Sequence, residues 1–457
     1  MQANVREQWS SRWGFMLAAM GSAVGLANIW RFPYAAGEGG GGAFVLVYLL
    51  AVVLISLPLL MAEFLVGRRG QASPPLAIAA VAKESGASRY WPMMGYAGIV
   101  AVILILAFYS VVGGWTIAYV IKMLTGSLNG LEPIKIQAAF DELNASPLPM
   151  FMGFSFFLAI TVFISSRGIK QGVERSVKVL MPALFLMLVA MVVFSAINGD
   201  FMAAARFLFT PDFSRIDSSV VLDAIGQAFF SVSVGYTNLM AYGAYLNRDI
   251  NIPRSCAIIV GADTLVALMA GMAIFPIVFA YGLEPAGGPG LVFMTLPIAF
   301  GSIVGGNLLG ALFFLLLVFA ALTSALSMLE APVSWAGEKW NWSRRRAAVS
   351  IGALVWTLGL LCVFSFNLLS GVHPLAMFDY FATSTFFDLF DFITTRVLAP
   401  LIGSAIALFV GWAVVTKVTA EELSADESHW MYRCWLFSVR IVVPLALSIL
   451  CYSLLTS

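Results

Sequence analysis

The feature that most constrains this chain is a series of apolar stretches, each about 20 residues long, separated by short polar connections. A helix that crosses a membrane needs about 20 largely apolar residues. Since 61% of the 457 residues are hydrophobic and 11% are charged, a water-soluble globule would leave much apolar surface exposed. We therefore predict an all-α polytopic membrane protein of about eleven spans, with the lipid bilayer as its partner. The predicted cores lie at residues 14–37, 43–66, 92–124, 150–166, 176–197, 220–245, 255–281, 306–336, 347–364, 386–416 and 434–456.

The basic residues between the spans predict how the chain is oriented in the membrane. Lys and Arg near span ends favour the cytoplasmic side. They follow the second, fourth and eighth spans, at Arg68, Arg69, Lys83, Arg89, Arg167, Lys170, Arg175, Lys178, Arg344, Arg345 and Arg346. We expect a multi-pass protein of the cell inner (plasma) membrane, with its N-terminus in the cytoplasm and, after an odd number of spans, its C-terminus outside. The net charge of +1 argues against a nucleic-acid partner, and the sequence indicates no particular oligomeric state.

Small and polar residues interrupt two of the spans near their middles. The first interruption, SAVGLANIWRFP, runs from Ser22 to Pro33, and the second, SVSVGYTN, runs from Ser231 to Asn238 in the sixth span. Because the breaks lie five spans apart, they predict two inverted five-helix repeats within one transporter domain, at about residues 10–200 and 218–417, before an extra helix at 434–456. The alternative is two glycine-containing kinks, which are common in membrane helices.

The predicted breaks suit a polar, charged ligand. Backbone that is not helical at membrane depth must line a cavity or lie buried in protein, because lipid offers its polar groups no partner. A helix that begins at a break presents free amides to an anion, and a helix that ends there presents carbonyls to a cation. A zwitterion with nearby metal ions satisfies both. Oxygens at Asn28, Ser231, Ser233 and Asn238 are hard ligands that suit Na⁺.

Polar residues in other spans are candidates for the same site. An isolated carboxylate at the centre of a membrane helix costs about 2.5 kcal/mol or more, so Asp263 in the seventh span is predicted to be functional. Thr323 and Ser324 are adjacent in the eighth span; taken alone, they are explained more simply by a hydrogen bond between helices, of about 0.6 kcal/mol. Glu63 and Glu330 are further carboxylates within predicted spans.

Five motifs resemble those of the neurotransmitter:sodium symporters, and most closely the bacterial amino-acid transporters with the fold of the bacterial leucine transporter. The motifs are REQWSSRWGF before the first span, GLANIWRFPY within it, GGGGAF after it, GQAFFSVSVG in the sixth span and ALTSAL in the eighth. The resemblance covers nearly the whole chain and ends one helix short of the family's usual twelve. It implies broken helices 1 and 6 and sodium-coupled symport of an amino acid by alternating access.

The resemblance also implies two sodium sites and a substrate site. The first sodium takes the Ala23 carbonyl, the Asn28 and Ser231 side chains and the substrate carboxylate, with Asp263 beside it. The second takes backbone carbonyls and two hydroxyls, from Gly21, Val24, Ala320, Thr323 and Ser324. The substrate is held by the Tyr109 hydroxyl, by amides at Leu26 and Ala27, and by Ala23, Gly25, Ile105, Phe230, Ser231, Ser233, Tyr236, Ser324 and Met328.

Two positions refine what the resemblance implies. Monoamine carriers of the family have an aspartate where this chain has Gly25, and a glycine leaves room for the carboxylate of the substrate itself. We therefore expect a neutral, hydrophobic amino acid. Asp263 aligns with a family asparagine and Ala267 with the serine of the chloride site, so a fixed carboxylate replaces the mobile anion and chloride is not required.

Charged residues near the span ends resemble the two gates of the family. Arg31 with Asp391, accompanied by Gln227, resembles the outer pair. Arg6 with Glu338 resembles the inner pair, braced by Trp9 and Tyr245. The alternative for each pair is a static ion pair at the membrane interface, worth about 0 to 1 kcal/mol.

Two classes of protein other than a transporter, an enzyme and a sensor, are considered for this sequence. We predict that the chain is not an enzyme, because neither HExxH nor GxSxG occurs in it. An amino-acid sensor or receptor on a transporter scaffold would share every feature above. Uptake of labelled substrate separates that alternative from a symporter.

Overall fold

The computed structural model describes residues 7–282, 291–301 and 305–456. Within those ranges the chain forms helices joined by turns, without a strand. The helices in chain order are α1 (Arg12–Ala23), α2 (Ala27–Glu38), α3 (Gly42–Gly70), α4 (Pro74–Glu84), α5 (Pro92–Leu124), α6 (Pro133–Ala145), α7 (Pro147–Ser166), α8 (Ile169–Asn198), α9 (Phe201–Phe209), α10 (Ser218–Ser231), α11 (Asn238–Gly243), α12 (Ile252–Ala280), α13 (Val292–Gly301), α14 (Gly306–Trp340), α15 (Arg344–Phe364), α16 (Phe386–Ala413), α17 (Thr416–Leu423) and α18 (Trp430–Leu455).

The described helices match the predicted polytopic architecture. Nine of them are long and apolar enough to cross a membrane, and α1 with α2, which are bent by 49° at their junction, make a tenth span. Helices α10 and α11 are each too short to cross alone and together occupy the place of the predicted sixth span. The all-α membrane fold is confirmed, and the predicted eleven spans are consistent with this count.

Burial divides the long helices into central and peripheral ones. In the most apolar window of α5, 78% of residues are buried inside the protein, and in α14 the share is 72%. The corresponding share in α8 is 28%, and its apolar side chains point outward, as at Leu186 and Ile197, which are 71% and 77% exposed. Such apolar outward faces are stable only in lipid. Helices α5 and α14, which pack against each other, therefore belong to the centre of the molecule, and α8 lies at its periphery.

The connections contain short helices that the sequence analysis did not predict. They are α4, α6, α9, α13 and α17. Proline occupies the first turn of α4 and α6, at Pro74 and Pro133, where its missing N–H costs no helical hydrogen bond. This signal was present in the sequence, but these segments are too short to cross a membrane.

Both predicted breaks are present. Helix α1 ends where Val24 adopts an extended backbone, with φ −69° and ψ 99°. Between α10 and α11 the chain passes through Ser233 and Thr237 at φ 57° and 62°, and through Gly235 at φ 84°. Left-handed residues interrupt a right-handed helix, and for Ser and Thr they are costly unless the surroundings hold them. Non-helical backbone at two buried places within the membrane-spanning part of the fold is therefore a feature of this structure.

Candidate functional site

The two helix breaks face each other. The Ser233 hydroxyl, in the second break, donates to the Ser22 carbonyl at 3.1 Å. The Asn238 amide, in the first turn of α11, donates to Ser22 Oγ at 3.2 Å, and Ser22 Oγ in turn donates to Ser327 Oγ on α14 at 2.7 Å. These contacts join α1, α11 and α14 around one polar centre.

Asn28, Ser231 and Asp263 form a buried cluster beside this centre. The Asn28 amide donates to Ser231 Oγ at 2.8 Å and to Asp263 Oδ1 at 2.7 Å. Ser231 Oγ donates to Asp263 Oδ2 at 2.6 Å. All three side chains are 0% exposed. Among the described residues no cationic side chain neutralises Asp263, so the cluster is an electrostatically favourable place for a small cation.

The Asn28 side chain is oriented differently from what the predicted sodium site requires. Its Oδ1 accepts from the Gly25 amide at 3.0 Å, which leaves Nδ2 facing Ser231 and Asp263. A sodium ligand at Asn28 must present oxygen. Rotating the amide by 180° would turn the oxygen toward the cluster, at the cost of the bond to Gly25.

The residues predicted for the second sodium meet where α1 touches α14. Thr323 Oγ1 donates to the carbonyl of Ala320 at 3.1 Å. Ser324 Oγ donates to the carbonyls of Gly21 and Ser22, each at 3.3 Å. A β-carbon added to Gly21 would lie 3.0 Å from Thr323 Cβ, so the glycine permits the close approach of the two helices. Thr323, Ser324 and the carbonyls of Gly21 and Ala320 therefore lie where α1 meets α14, and Val24 lies one residue beyond the end of α1.

Tyr109, Gly25 and Ser324 lie close together beside the first break. The buried Tyr109 hydroxyl lies near Ser324 and the Leu26 backbone, yet it forms no hydrogen bond of good geometry with any described residue. A β-carbon on Gly25 would lie 2.6 Å from Ser324 Oγ and 3.5 Å from Tyr109 Oη. A buried hydroxyl without a partner is costly, and a ligand with an acceptor oxygen would satisfy it.

The remaining residues of the predicted substrate site are buried to different degrees. The buried members are Ala23, Leu26, Ile105, Tyr236 and Met328. Ala27, Phe230 and Ser233 are partly exposed.

The predicted outer gate contains no direct ion pair between its two charged residues. The Arg31 guanidinium lies over the Phe230 ring, 4.5 Å from its centroid. Arg31 and Asp391 attract each other electrostatically, but among the described residues they do not form an ion pair of 4 Å or less. The Gln227 amide donates to the Ala27 carbonyl at 2.8 Å and so ties α10 to the start of α2.

The opposite side of the site is sealed by aromatic packing. Trp9 is 2% exposed, its indole N–H donates to the Tyr242 carbonyl at 3.2 Å, and its ring meets the Tyr242 ring edge-on at 5.2 Å. The Tyr245 hydroxyl donates to Glu330 Oε1 at 2.6 Å. Glu338 accepts from the Ser73 amide at 2.8 Å. Arg6, the predicted partner of Glu338, lies outside the described residues.

Two buried carboxylates have roles that the sequence analysis did not assign. The two oxygens of Glu63 accept from the Gly235 amide at 2.7 Å and the Met240 amide at 3.1 Å, and thereby fix the second break. Glu330 is 0% exposed in its side chain and pairs with Arg344 at 2.5 Å. The free-energy cost of a carboxylate at membrane depth indicated that Glu63 and Glu330 need partners. The partners could not be identified from the sequence, because they lie in distant parts of it.

Comparison with known proteins places the chain among sodium-dependent transporters. Residues 6–133 and 132–456 match the model of the sodium:neurotransmitter symporter family. An uncharacterized sodium-dependent transporter of Bacillus subtilis is 38% identical across 98% of this chain and 97% of its own length. Another, from Haemophilus influenzae, is 34% identical across 97% of each.

A solved structure extends the likeness to the fold. The crystal structure of MhsT in complex with L-phenylalanine superposes with a TM-score of 0.88 at 41% identity, covering 98% of this chain and 99% of that one. The match confirms both the predicted family and the predicted fold. The chain therefore belongs to the sodium:neurotransmitter symporter family.

Proposed function

We propose that this protein carries neutral amino acids with apolar side chains into the cell together with sodium, by alternating access. The observation that carries the proposal is the buried Tyr109 hydroxyl, which has no hydrogen-bond partner among the described residues and lies beside Gly25 and Ser324 at the first helix break. The sodium-dependent family and the L-phenylalanine held by MhsT support it.

The carboxylate of the substrate is recognised at the first break. It accepts from the Tyr109 hydroxyl and from amides at Leu26 and Ala27, where the start of α2 directs a positive dipole end toward an anion. Gly25, which has no side chain, lets this carboxylate approach the backbone. The apolar side chain then lies among Ile105, Phe230, Tyr236 and Met328, with Ala23, Ser231, Ser233 and Ser324 completing the site.

The first sodium binds between the breaks, beside the substrate carboxylate. The oxygens of Asn28 and Ser231 and the Ala23 carbonyl form a donor set suited to a hard cation, and Asp263 supplies a nearby negative charge. Because the substrate carboxylate completes this site, sodium and substrate raise each other's affinity by the same factor.

The second sodium binds where α1 meets α14. The Thr323 and Ser324 hydroxyls and the carbonyls of Gly21, Val24 and Ala320 are its ligands. An ion there joins the two helices and holds the cytoplasmic side closed, and its release lets the first helix move.

The gates act on either side of this site. Arg31 and Asp391 approach each other over Phe230 when the outside closes, with Gln227 fixing the backbone beside them. On the cytoplasmic side Trp9 and Tyr245 brace the inner gate, of which Glu338 is the described charged member. The N-terminus lies in the cytoplasm and the C-terminus outside.

The energetics of this coupling are sufficient for uptake. One charge that moves through 100 mV releases about 2.3 kcal/mol. Two sodium ions with a neutral substrate therefore provide about 4.6 kcal/mol, enough for roughly a thousandfold accumulation. The buried carboxylate of Asp263 provides the negative charge that chloride would otherwise bring, so transport proceeds without chloride.

Reconstituted protein tests the proposal. Proteoliposomes with an imposed inward sodium gradient should accumulate labelled phenylalanine, and replacing the gradient with potassium should abolish the accumulation. Exchange of chloride for gluconate should leave uptake unchanged. Sodium-dependent binding without uptake would instead identify an amino-acid sensor, and the absence of both would refute the proposed substrate class.

A further inference from the structure

A basic cavity lies between the end of α7 and the start of α8, and its inner wall includes Leu322, the neighbour of the proposed sodium ligand Thr323. Two adjoining open cavities of about 440 Å³ and 630 Å³ share Arg167, Gln171 and Arg175 in their walls. Lys170 and Lys178 complete the larger one. We call the combined region the basic cavity. In the proposed orientation it opens to the cytoplasmic surface of the membrane.

Three of the four positive charges of the basic cavity have no direct ion-pair partner among the described residues, although the Glu7 carboxylate lies nearby and accepts from the backbone amides of Ile169 and Lys170. Lys178 pairs with Glu174 at 2.6 Å. Arg167, Lys170 and Arg175 form no ion pair of 4 Å or less with any described residue. Like charges brought together around one concavity repel each other. An anion bound between them would relieve that repulsion.

One wall of the basic cavity is apolar and faces lipid. Phe163 and Val179 line it and are 57% and 66% exposed, on the outer faces of α7 and α8. Leu180 and Leu322 extend the apolar wall inward. The Arg167 guanidinium lies over the Phe163 ring, 4.3 Å from its centroid, at the boundary between the charged and apolar parts. A free phosphate would contact only the charged part of the cavity. A phospholipid would contact both parts, its headgroup the charged residues and its acyl chain the apolar wall.

We propose that the basic cavity binds an anionic phospholipid of the cytoplasmic leaflet. The headgroup phosphate lies against Arg167, Lys170 and Arg175, and an acyl chain runs along Phe163 and Val179. The preference of Lys and Arg for the cytoplasmic side explains why basic residues lie near these span ends. It does not explain why they line a cavity that continues into a lipid-facing apolar surface.

Native mass spectrometry of the purified full-length chain tests this proposal. The protein in non-ionic detergent is titrated with phosphatidylglycerol and, in parallel, with phosphatidylcholine, and the bound lipids are counted. We expect one phosphatidylglycerol to bind more tightly than the rest and than phosphatidylcholine. The double variant Arg167→Gln, Arg175→Gln should weaken that binding by about 25-fold, since each basic residue near an anionic lipid contributes about fivefold, or ~1 kcal/mol.

A matched control removes two other charges from the same predicted side of the membrane. Arg89 and Arg254 are exposed and lie outside the basic cavity, so Arg89→Gln with Arg254→Gln should change the affinity by less than twofold. Equal losses in both double variants would show general surface attraction and overturn the proposal. Full displacement of the lipid by millimolar inorganic phosphate, or equal binding of phosphatidylcholine, would overturn it too.

A second variant guards against misfolding of the first. Lys170→Gln with Arg175→Gln should produce a similar loss if the cavity is the site, provided that its thermal transition matches that of the unmodified protein. Retained tight binding in this folded variant would also contradict the proposal. The measurement requires no transport, so its failure is distinct from a failure of the proposed function.

Discussion

Glu63→Gln tests whether a buried carboxylate holds the second helix break in its binding geometry. The Glu63 side chain is 0% exposed, and its two oxygens accept from the amides of Gly235 and Met240 at 2.7 Å and 3.1 Å. Glutamine keeps the shape of the side chain but offers one acceptor oxygen and one NH₂ group. One of the two backbone N–H groups then faces the NH₂ group of the glutamine, which is also a donor, and loses its acceptor.

The expected cost follows from these two hydrogen bonds. A hydrogen bond to a charged group contributes about 1.5 to 3 kcal/mol and a neutral one about 0.5 to 1.5 kcal/mol, while a buried amide left without a partner costs about 1 to 3 kcal/mol. Weakening one bond and losing the other therefore destabilises the break by about 2 to 4 kcal/mol. If the whole loss falls on the binding-competent conformation, substrate affinity drops by roughly 30-fold to several-hundredfold.

Binding of labelled phenylalanine to purified protein at saturating sodium measures this loss. The matched control is Glu132→Gln, because the Glu132 side chain is 72% exposed and its charge should contribute little. An unchanged affinity and an unchanged thermal transition in Glu63→Gln, equal to those of the control, would refute the role assigned to this carboxylate.

Four further substitutions test other parts of the site. Asn28→Ala and Thr323→Ala should each raise the sodium concentration for half-maximal uptake by about tenfold, the equivalent of one lost ligand bond; unchanged sodium titrations in both would contradict the two assigned sodium sites. Gly25→Ala should weaken phenylalanine binding by about fivefold or more in a competition assay, because its methyl group would lie 2.6 Å from Ser324 Oγ and overpacking costs about 1 to 3 kcal/mol. Trp9→Ala removes a buried ring, a change that costs about 3 to 5 kcal/mol, and should speed hydrogen exchange in α11; slow, unaltered exchange would show that Trp9 does not seal the inner side.

The helix breaks could be predicted from the sequence because the membrane leaves few alternatives. Small and polar residues from Ser22 to Pro33 and from Ser231 to Asn238 cannot face lipid with unpaired backbone, and the structure indeed breaks both helices there. The span from 92 to 124 was likewise predicted with the bounds of α5, since a proline and a run of apolar residues define it.

Contacts between distant parts of the chain could not be predicted in the same way. Glu63 was visible as a costly carboxylate, but its partners lie 172 and 177 residues away and follow from tertiary packing. The orientation of the Asn28 amide depends on its neighbours in space, and the distance between Arg31 and Asp391 depends on the conformation of the transporter. Sequence specifies which residues are available, whereas packing decides which atoms meet.

The central claim is that the substrate carboxylate and sodium meet between the two helix breaks. The most direct test is to measure sodium affinity with and without phenylalanine, and phenylalanine affinity with and without sodium, by equilibrium binding. We expect equal enhancement factors in the two directions and no enhancement by phenethylamine, which lacks the carboxylate. Equal enhancement by the amine, or phenylalanine binding that is independent of sodium, would contradict the claim.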